Sequence, residues 1–234
     1  MYEARLKESW PAVARRIEEA RSRGGRANDV TVVAVTKTHP PAAVLAAYAA
    51  GLRMCGENRV QELVEKREEI DAQAVPGLHW HLIGHLQRNK VRQVLPLCDL
   101  IHSVDTDRLA AEISAEAVRL GRTADVLVQV NASGEETKGG FGVEGAAEAV
   151  ARLGALEGLR IRGLMTMAPF TDDEQVLRGT FRATRRAFEE CAAQASAFAP
   201  DYLSMGMSND FEIAIEEGAT MVRLGTILFG ERQQ

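Results

Sequence analysis

The residue with the greatest reactive potential in this 234-residue sequence is a lysine. Lys37 follows the β-branched run Val30-Thr-Val-Val-Ala-Val35, in Val35-Thr-Lys37-Thr-His-Pro40. So apolar a run reads as a strand buried on both faces. A lysine at its exit, partly desolvated, has a lowered pKa and can attack an aldehyde to form a Schiff base. The plainer alternative is a lysine that leaves for solvent or caps a helix. A second group lies in Leu203-Ser-Met-Gly-Met-Ser-Asn-Asp-Phe-Glu-Ile-Ala-Ile-Glu-Glu-Gly218. Ser208 precedes an apolar-periodic helix and reads as its N-cap, with Asp210 and Glu212 in the first turn. The same hydroxyl and the N–H groups beside it could instead bind a phosphate. A third group is Met221-Val-Arg-Leu-Gly-Thr226. Arg223 points to the strand face opposite Val222 and Leu224, where a buried guanidinium is costly unless paired. Gly225 allows a backbone to approach a ligand closely, and Thr226 adds a hydroxyl and an N–H. A lysine together with a phosphate cradle suits a phosphorylated aldehyde, against the alternative of a simple tight turn.

These groups need elements to hold them. Eight short apolar runs, at 30–35, 52–54, 78–83, 100–104, 125–130, 161–165, 202–205 and 221–224, read as strands. Helical stretches at 41–50, 58–70, 105–120, 145–153, 172–198 and 210–217 alternate with them. Strands alternating with helices imply parallel βαβ units. Eight of them point to a single α/β domain over residues 1–234, a (β/α)8 TIM barrel. A doubly wound open sheet fits less well, because no G-x-G-x-x-G follows the first strand. Leu6, Trp10, Val13 and Ile17 lie on one face of an extra N-terminal helix. Pro11 is expected to kink that helix or open its main part, and Gly24-Gly25 to stop it. Barrel active sites sit at the C-terminal ends of the strands, with phosphate sites often after the seventh and eighth. Lys37 falls after the first strand, Ser208 after the seventh, and Gly225 and Thr226 after the eighth.

Composition narrows the function classes. The chain is 46% hydrophobic and 26% charged, ordinary for a globular protein and against disorder. A net charge of −5 gives no basic footprint for nucleic acid, and Arg88, Lys90 and Arg92 read as a solvated helix face. Cys55, Cys98 and Cys191 are odd in number and widely spaced, which excludes a C-x-x-C zinc site or a disulfide framework. Without an apolar leader or an 18-residue apolar run, a cytoplasmic protein with no membrane span is expected. Other strand exits are polar: Gly56-Glu57-Asn58-Arg59, then His85, Gln87, Arg88, Asn89 and Lys90, then residues 131–138. Each alone reads as a loop or a helix start. His79 and His81 share a strand face but lack a third ligand, so no metal is expected. Met165, Met167, Met205 and Met207 read as core fillers.

With those residues in view, the sequence resembles the pyridoxal phosphate homeostasis protein family, related to the N-terminal barrel domain of alanine racemase. The resemblance runs through Val33-Ala-Val-Thr-Lys-Thr38, Gly56-Glu-Asn58, Trp80-His-Leu-Ile-Gly-His-Leu-Gln-Arg-Asn-Lys90 and Ile101-His-Ser-Val-Asp105. It continues in Val130-Asn-Ala-Ser-Gly-Glu-Glu-Thr-Lys-Gly-Gly-Phe141, Gly163-Leu-Met-Thr-Met-Ala-Pro169, Leu203-Ser-Met-Gly-Met-Ser208 and Val222-Arg-Leu-Gly-Thr-Ile-Leu-Phe-Gly230. It implies pyridoxal 5'-phosphate held as a Schiff base on Lys37 and Arg223 beside the pyridine nitrogen. It also implies Ser208, Gly225 and Thr226 around the phosphate, with Asn58 and Met207 lining the pocket. Family members are described as keeping pyridoxal phosphate and amino-acid pools in balance. The expected partners are the cofactor itself and apo forms of enzymes that use it, and the expected state is a monomer.

The chemistry of these residues favours binding over turnover. An arginine cannot accept a proton from the ring nitrogen, so the ring would be a weak electron sink. Racemisation needs acid–base groups on two faces of the substrate. Lys37 is one; in alanine racemase the other is a tyrosine from a second domain. With the sequence ending at Gln234, four residues past Gly230, no second domain is expected here. Tyr2, Tyr48 and Tyr202 are expected away from the mouth. No catalytic residue is therefore assigned. The alternatives are a weak pyridoxal-phosphate-dependent amino-acid racemase or lyase, and a cofactor-free class I aldolase-like enzyme using Lys37 on a sugar phosphate. The last would need a general acid near Lys37, and the sequence offers no convincing one.

Overall fold

The computed structural model describes residues 1–71, 75–135 and 139–230. Its strands are β1 (Thr31–Val35), β2 (Met54–Glu57), β3 (His79–Leu82), β4 (Leu100–Val104), β5 (Ala124–Asn131), β6 (Phe141–Gly142), β7 (Leu159–Met165), β8 (Phe198–Met207) and β9 (Met221–Leu224). They pair in the order β4-β3-β2-β1-β9-β8-β7-β5, and β4 pairs with β5, which closes the sheet. The short β6 pairs with the exit of β5 outside this ring. The pairings are parallel, so all strand exits lie at one end. Among the described residues this is an eight-stranded parallel barrel with helices between strands, as the alternation predicts.

The helices are α1 (Tyr2–Arg23), α2 (Pro41–Ala49), α3 (Val60–Asp71), α4 (Val91–Val94), α5 (Asp107–Arg119), α6 (Ala146–Gly154), α7 (Glu174–Gln194), α8 (Phe211–Glu216) and α9 (Thr226–Phe229). α1 buries Leu6, Val13, Ile17 and Ala20 against the barrel, and Gly24 caps it. Pro11 neither opens α1 nor splits it. It is exposed within a continuous helix, on the solvent side where a missing N–H costs least. The side chain of Asp173 accepts the N–H groups of Gln175 and Val176 and so starts α7.

Several boundaries move, two of them with a clear physical reason. The run 52–54 predicts a strand that starts two residues early and ends three early, because Leu52 belongs to the outer core and the ladder uses Met54, Cys55, Gly56 and Glu57. Only glycine suits position 56, where a Cβ would lie 2.8 Å from Val33 Cγ1. The helix expected over 172–198 ends at Gln194, and Phe198 already opens β8.

Strand alternation divides the core in two. Trp80, Leu82, Ile101, Leu203, Met205, Val222 and Leu224 face the helices and pack with Leu63, Phe181 and Phe211. The barrel interior holds Val33, Leu100, Leu127, Met165 and Met221. On that inner face the same alternation places His81, His102, Ser204 and Arg223, all buried.

Candidate functional site

One cavity of about 1440 Å³ opens at the strand exits. Lys37, Asn58 and Arg223 line it, as do Met207, Ser208, Gly225 and Thr226. The seven residues singled out in the sequence are thus brought together, from the exits of β1, β2, β8 and β9.

Lys37 is half-buried in the turn after β1. That turn is constrained from both sides. Thr38 has φ 65°, left-handed backbone that a β-branched residue seldom adopts. Its N–H donates to Glu62 Oε2 at 2.6 Å. On the other side, the Thr36 hydroxyl donates to Glu57 Oε1 at 2.6 Å, and the Thr36 carbonyl accepts from Lys66 Nζ at 2.7 Å. Lys66 Nζ also donates to Glu57 Oε1 at 2.7 Å and lies 3.7 Å from Glu62 Oε2. A carboxylate–ammonium–carboxylate cluster of β2 and α3 therefore grips the peptides that flank Lys37. Burial pushes the Glu57 carboxyl above its ordinary value, against the opposing pull of Lys66 and the Thr36 hydroxyl. This cluster is not legible in the sequence as a unit. The Glu62–Lys66 spacing of four residues was its one local signal.

Ser208 corrects an expectation. It does not cap the following helix; α8 begins after Asp210. Ser208 Oγ instead accepts the N–H groups of Gly225 and Ile227, each at 3.3 Å, across the gap to β9 and α9. Two backbone donors therefore converge on one oxygen, and the Ser208 hydroxyl keeps its own proton to donate. Asp210 holds the turn by accepting the Met207 N–H at 2.6 Å. Close packing accompanies Gly225, where a Cβ would come within 3.2 Å of the Val35 carbonyl. Of the four methionines read as core fillers, Met165 and Met205 are buried. Met167 and Met207 are not, and both line the cavity: Met167 lies just past the end of β7, and Met207 is the last residue of β8.

Arg223 enters from below. Its Nη1 donates to Ser204 O at 2.9 Å and Ser204 Oγ at 2.8 Å, and Nη2 donates to Thr166 O at 2.9 Å. Burial lowers its guanidinium to about 10, still protonated at neutral pH, with Asp210 opposing the shift. Below it, His102 Nδ1 lies 3.2 Å from Ser204 Oγ, and His102 Nε2 lies 3.0 Å from His81 Nδ1. Burial lowers both imidazoles, His81 to about 3; His79 adds repulsion at His81, and His81 and Arg223 at His102. A histidine held neutral in the native state contributes stability that is complete above its unfolded value of 6.5. That stability is lost as pH falls below this value, at about 1.4 kcal/mol per pH unit for each group. Urea unfolding at stepped pH should show the decline beginning below roughly pH 6.5. A stability flat down to pH 5 would contradict it.

Several candidates fall elsewhere. His79 is exposed, 3.8 Å from Asp99, and does not share the environment of His81. Among the described residues no group of three metal-ligating side chains occurs. Gln87, Arg88 and Asn89 line a separate shallow depression with Glu112. His85 does line the main cavity, with Nδ1 3.1 Å from Asp105 Oδ2. Positions 136–138 of the loop after β5 lie outside the described residues. Tyr48 donates to the Pro76 carbonyl, and Tyr202 packs with the barrel interior under Arg162. Tyr2 is nearer than α1 alone suggests, with its hydroxyl 3.2 Å from Nδ1 of His39, which lines the cavity. No helix among the described residues is long and apolar enough to cross a membrane.

Comparison with known proteins identifies the family. The family model described as alanine racemase, N-terminal domain, matches residues 9–233. A pyridoxal phosphate homeostasis protein of Aquifex aeolicus is 43% identical over 222 residues, 94% of this chain and 96% of that one. The Escherichia coli K12 protein of the same name is 39% identical over 226 residues, 93% of this chain and 92% of its own. Among solved structures, PipY of Synechococcus elongatus with PLP bound superposes with TM-score 0.81 at 39% identity, covering 93% of this chain and 100% of PipY. An alanine racemase of Clostridium difficile, at 18% identity and TM-score 0.73, shares the fold over 94% of this chain and 57% of its own. A chain so matched over nearly its whole length belongs to the alanine racemase N-terminal-domain family, and within it to the pyridoxal phosphate homeostasis proteins.

Proposed function

We propose that this protein binds pyridoxal 5'-phosphate as a Schiff base on Lys37 and serves pyridoxal phosphate and amino-acid homeostasis in the cell. The observation that carries the reading is the cavity shared by Lys37, Arg223, Ser208, Gly225 and Thr226. This donor set fits the cofactor. Lys37 offers the amine for the aldehyde carbon. The Ser208 hydroxyl and Thr226, with Gly225 letting the backbone come close, offer the ligands of a phosphate. Arg223 offers a donor that never accepts, which suits an unprotonated pyridine nitrogen. Asn58 and Met207 complete the walls. When bound, the group supplies a reactive aldehyde and an electron-withdrawing ring. The relatives' names and the PLP-bound PipY structure support the same reading.

What lines the cavity supports holding the cofactor rather than turning over a substrate. Tyr2, Tyr48 and Tyr202 are all absent from the cavity lining, so no tyrosine faces Lys37 as a second acid–base group. The unit acting is the whole chain, residues 1–234, as a cytoplasmic monomer. Its partners are the cofactor and apo enzymes that receive it.

The test is direct. Purified protein incubated with pyridoxal phosphate should turn yellow and bleach with borohydride, and peptide mapping should place the reduced label on Lys37. A colourless protein that takes up no cofactor would overturn the reading. Borohydride trapping of a sugar phosphate by that colourless protein would put an aldolase-like activity in its place.

A further inference from the structure

The interior of a barrel is ordinarily filled by layers of branched apolar side chains. Val33, Leu100, Leu127, Met165 and Met221 follow that rule. His81, His102 and Ser204 break it, and each is buried. Their contacts run in one line, His81 to His102 to Ser204 to Arg223, through β3, β4, β8 and β9. β4 and β8 are not neighbours in the sheet, so the His102–Ser204 link crosses the barrel interior.

The direction of this line follows from donor chemistry. Arg223 only donates, so Ser204 Oγ accepts from it. The hydroxyl has one proton, and the remaining partner of Ser204 Oγ is His102 Nδ1. The reverse arrangement, with the proton on Nδ1, would leave a buried hydroxyl proton without an acceptor, which costs free energy. His102 therefore carries its proton on Nε2 and donates it to His81 Nδ1. His81 in turn carries its proton on Nε2.

We propose that His81, His102 and Ser204 are positioning residues for Arg223: a one-way hydrogen-bond relay across the barrel interior that locks the guanidinium in place. Three of its N–H bonds go to Ser204 O, Ser204 Oγ and Thr166 O. An arginine has five. Those left over define where a ligand acceptor must sit, and on the reading above that acceptor is the pyridine nitrogen. A protonated histidine in the line would turn an acceptor into a donor and break the relay.

Two measurements separate the relay from the site reading on which its purpose rests. In 15N-labelled, cofactor-free protein, long-range proton–nitrogen spectra should show both His81 and His102 as neutral Nε2–H tautomers. An Nδ1–H tautomer at His102 would overturn the relay, whatever the protein binds. Ser204→Ala should leave the borohydride label on Lys37, yet shift the visible band and weaken cofactor binding roughly tenfold, the effect of losing one hydrogen bond to a charged group. Ser204→Thr, which keeps the hydroxyl, should restore both. An unchanged band and affinity in Ser204→Ala would overturn the positioning role. If Ser204→Ala fails to fold, the tautomers of the unaltered protein still decide. A protein that takes up no cofactor would overturn the site reading instead.

Discussion

A Lys37→Ala protein mixed with pyridoxal phosphate is expected to gain none of the visible band that the unaltered protein gains. The substitution removes the only part of residue 37 that can join the aldehyde, its amine. The turn itself is held by other groups, through the Thr36 hydroxyl and carbonyl and the Thr38 N–H, so the cavity should keep its shape. Ser208, Gly225 and Thr226 still line the cavity to hold a phosphate. Binding should thus persist without the covalent link, weaker by on the order of a hundredfold, about 2.7 kcal/mol. Difference absorption reads the link, and equilibrium dialysis reads the affinity. A band that survived would place the imine on another lysine. An affinity equal to that of the unaltered protein would mean that the amine contributes nothing to retention.

Lys66→Met should give the largest loss of stability. Lys66 is 5% exposed and Glu57 is fully buried, so each is the other's main compensation for leaving water. Removing the ammonium strands a buried carboxylate and takes the donor from the Thr36 carbonyl. Breaking a buried pair in this way costs about 3–5 kcal/mol. For a chain of this size that lowers Tm by roughly 6–20 °C. The double variant Glu57→Gln, Lys66→Met should recover most of the loss, because no charge is then left unpaired. Denaturant unfolding of the two singles and the double closes the cycle. A Lys66→Met protein within 1 kcal/mol of the unaltered one would show that the cluster does not act as an ion pair.

The same cluster shows how far local pattern reaches. The exit of β1 was legible because four successive apolar residues, Val32 to Val35, followed by a polar turn encode a buried strand wherever they occur. So were β4 and β9, whose runs coincide with the strands. β2 was not, since Gly56 and Glu57 look like a loop until the neighbouring strands enclose them. Glu57 reads as a polar strand exit, yet Lys66 and Thr36 make it a buried keystone. Ser208 looked like a helix cap because its neighbours in sequence begin a helix. Its partners, Gly225 and Ile227, come from another strand exit.

The sequence by itself determined the alternation of eight apolar runs with amphipathic stretches, and hence the barrel with an added N-terminal helix. It also determined that Arg223 faces the side of its strand opposite Val222 and Leu224, because side-chain direction in a strand follows a period of two. Only the tertiary structure decided which exits meet around one cavity and that Met167 and Met207 face it. It also decided that two histidines line up behind Arg223. The difference is physical. Periodicity is a property of consecutive residues, whereas the hydrogen bonds that connect His102 to Ser204 or Lys66 to Thr36 exist only once closure of the sheet fixes the register of distant strands.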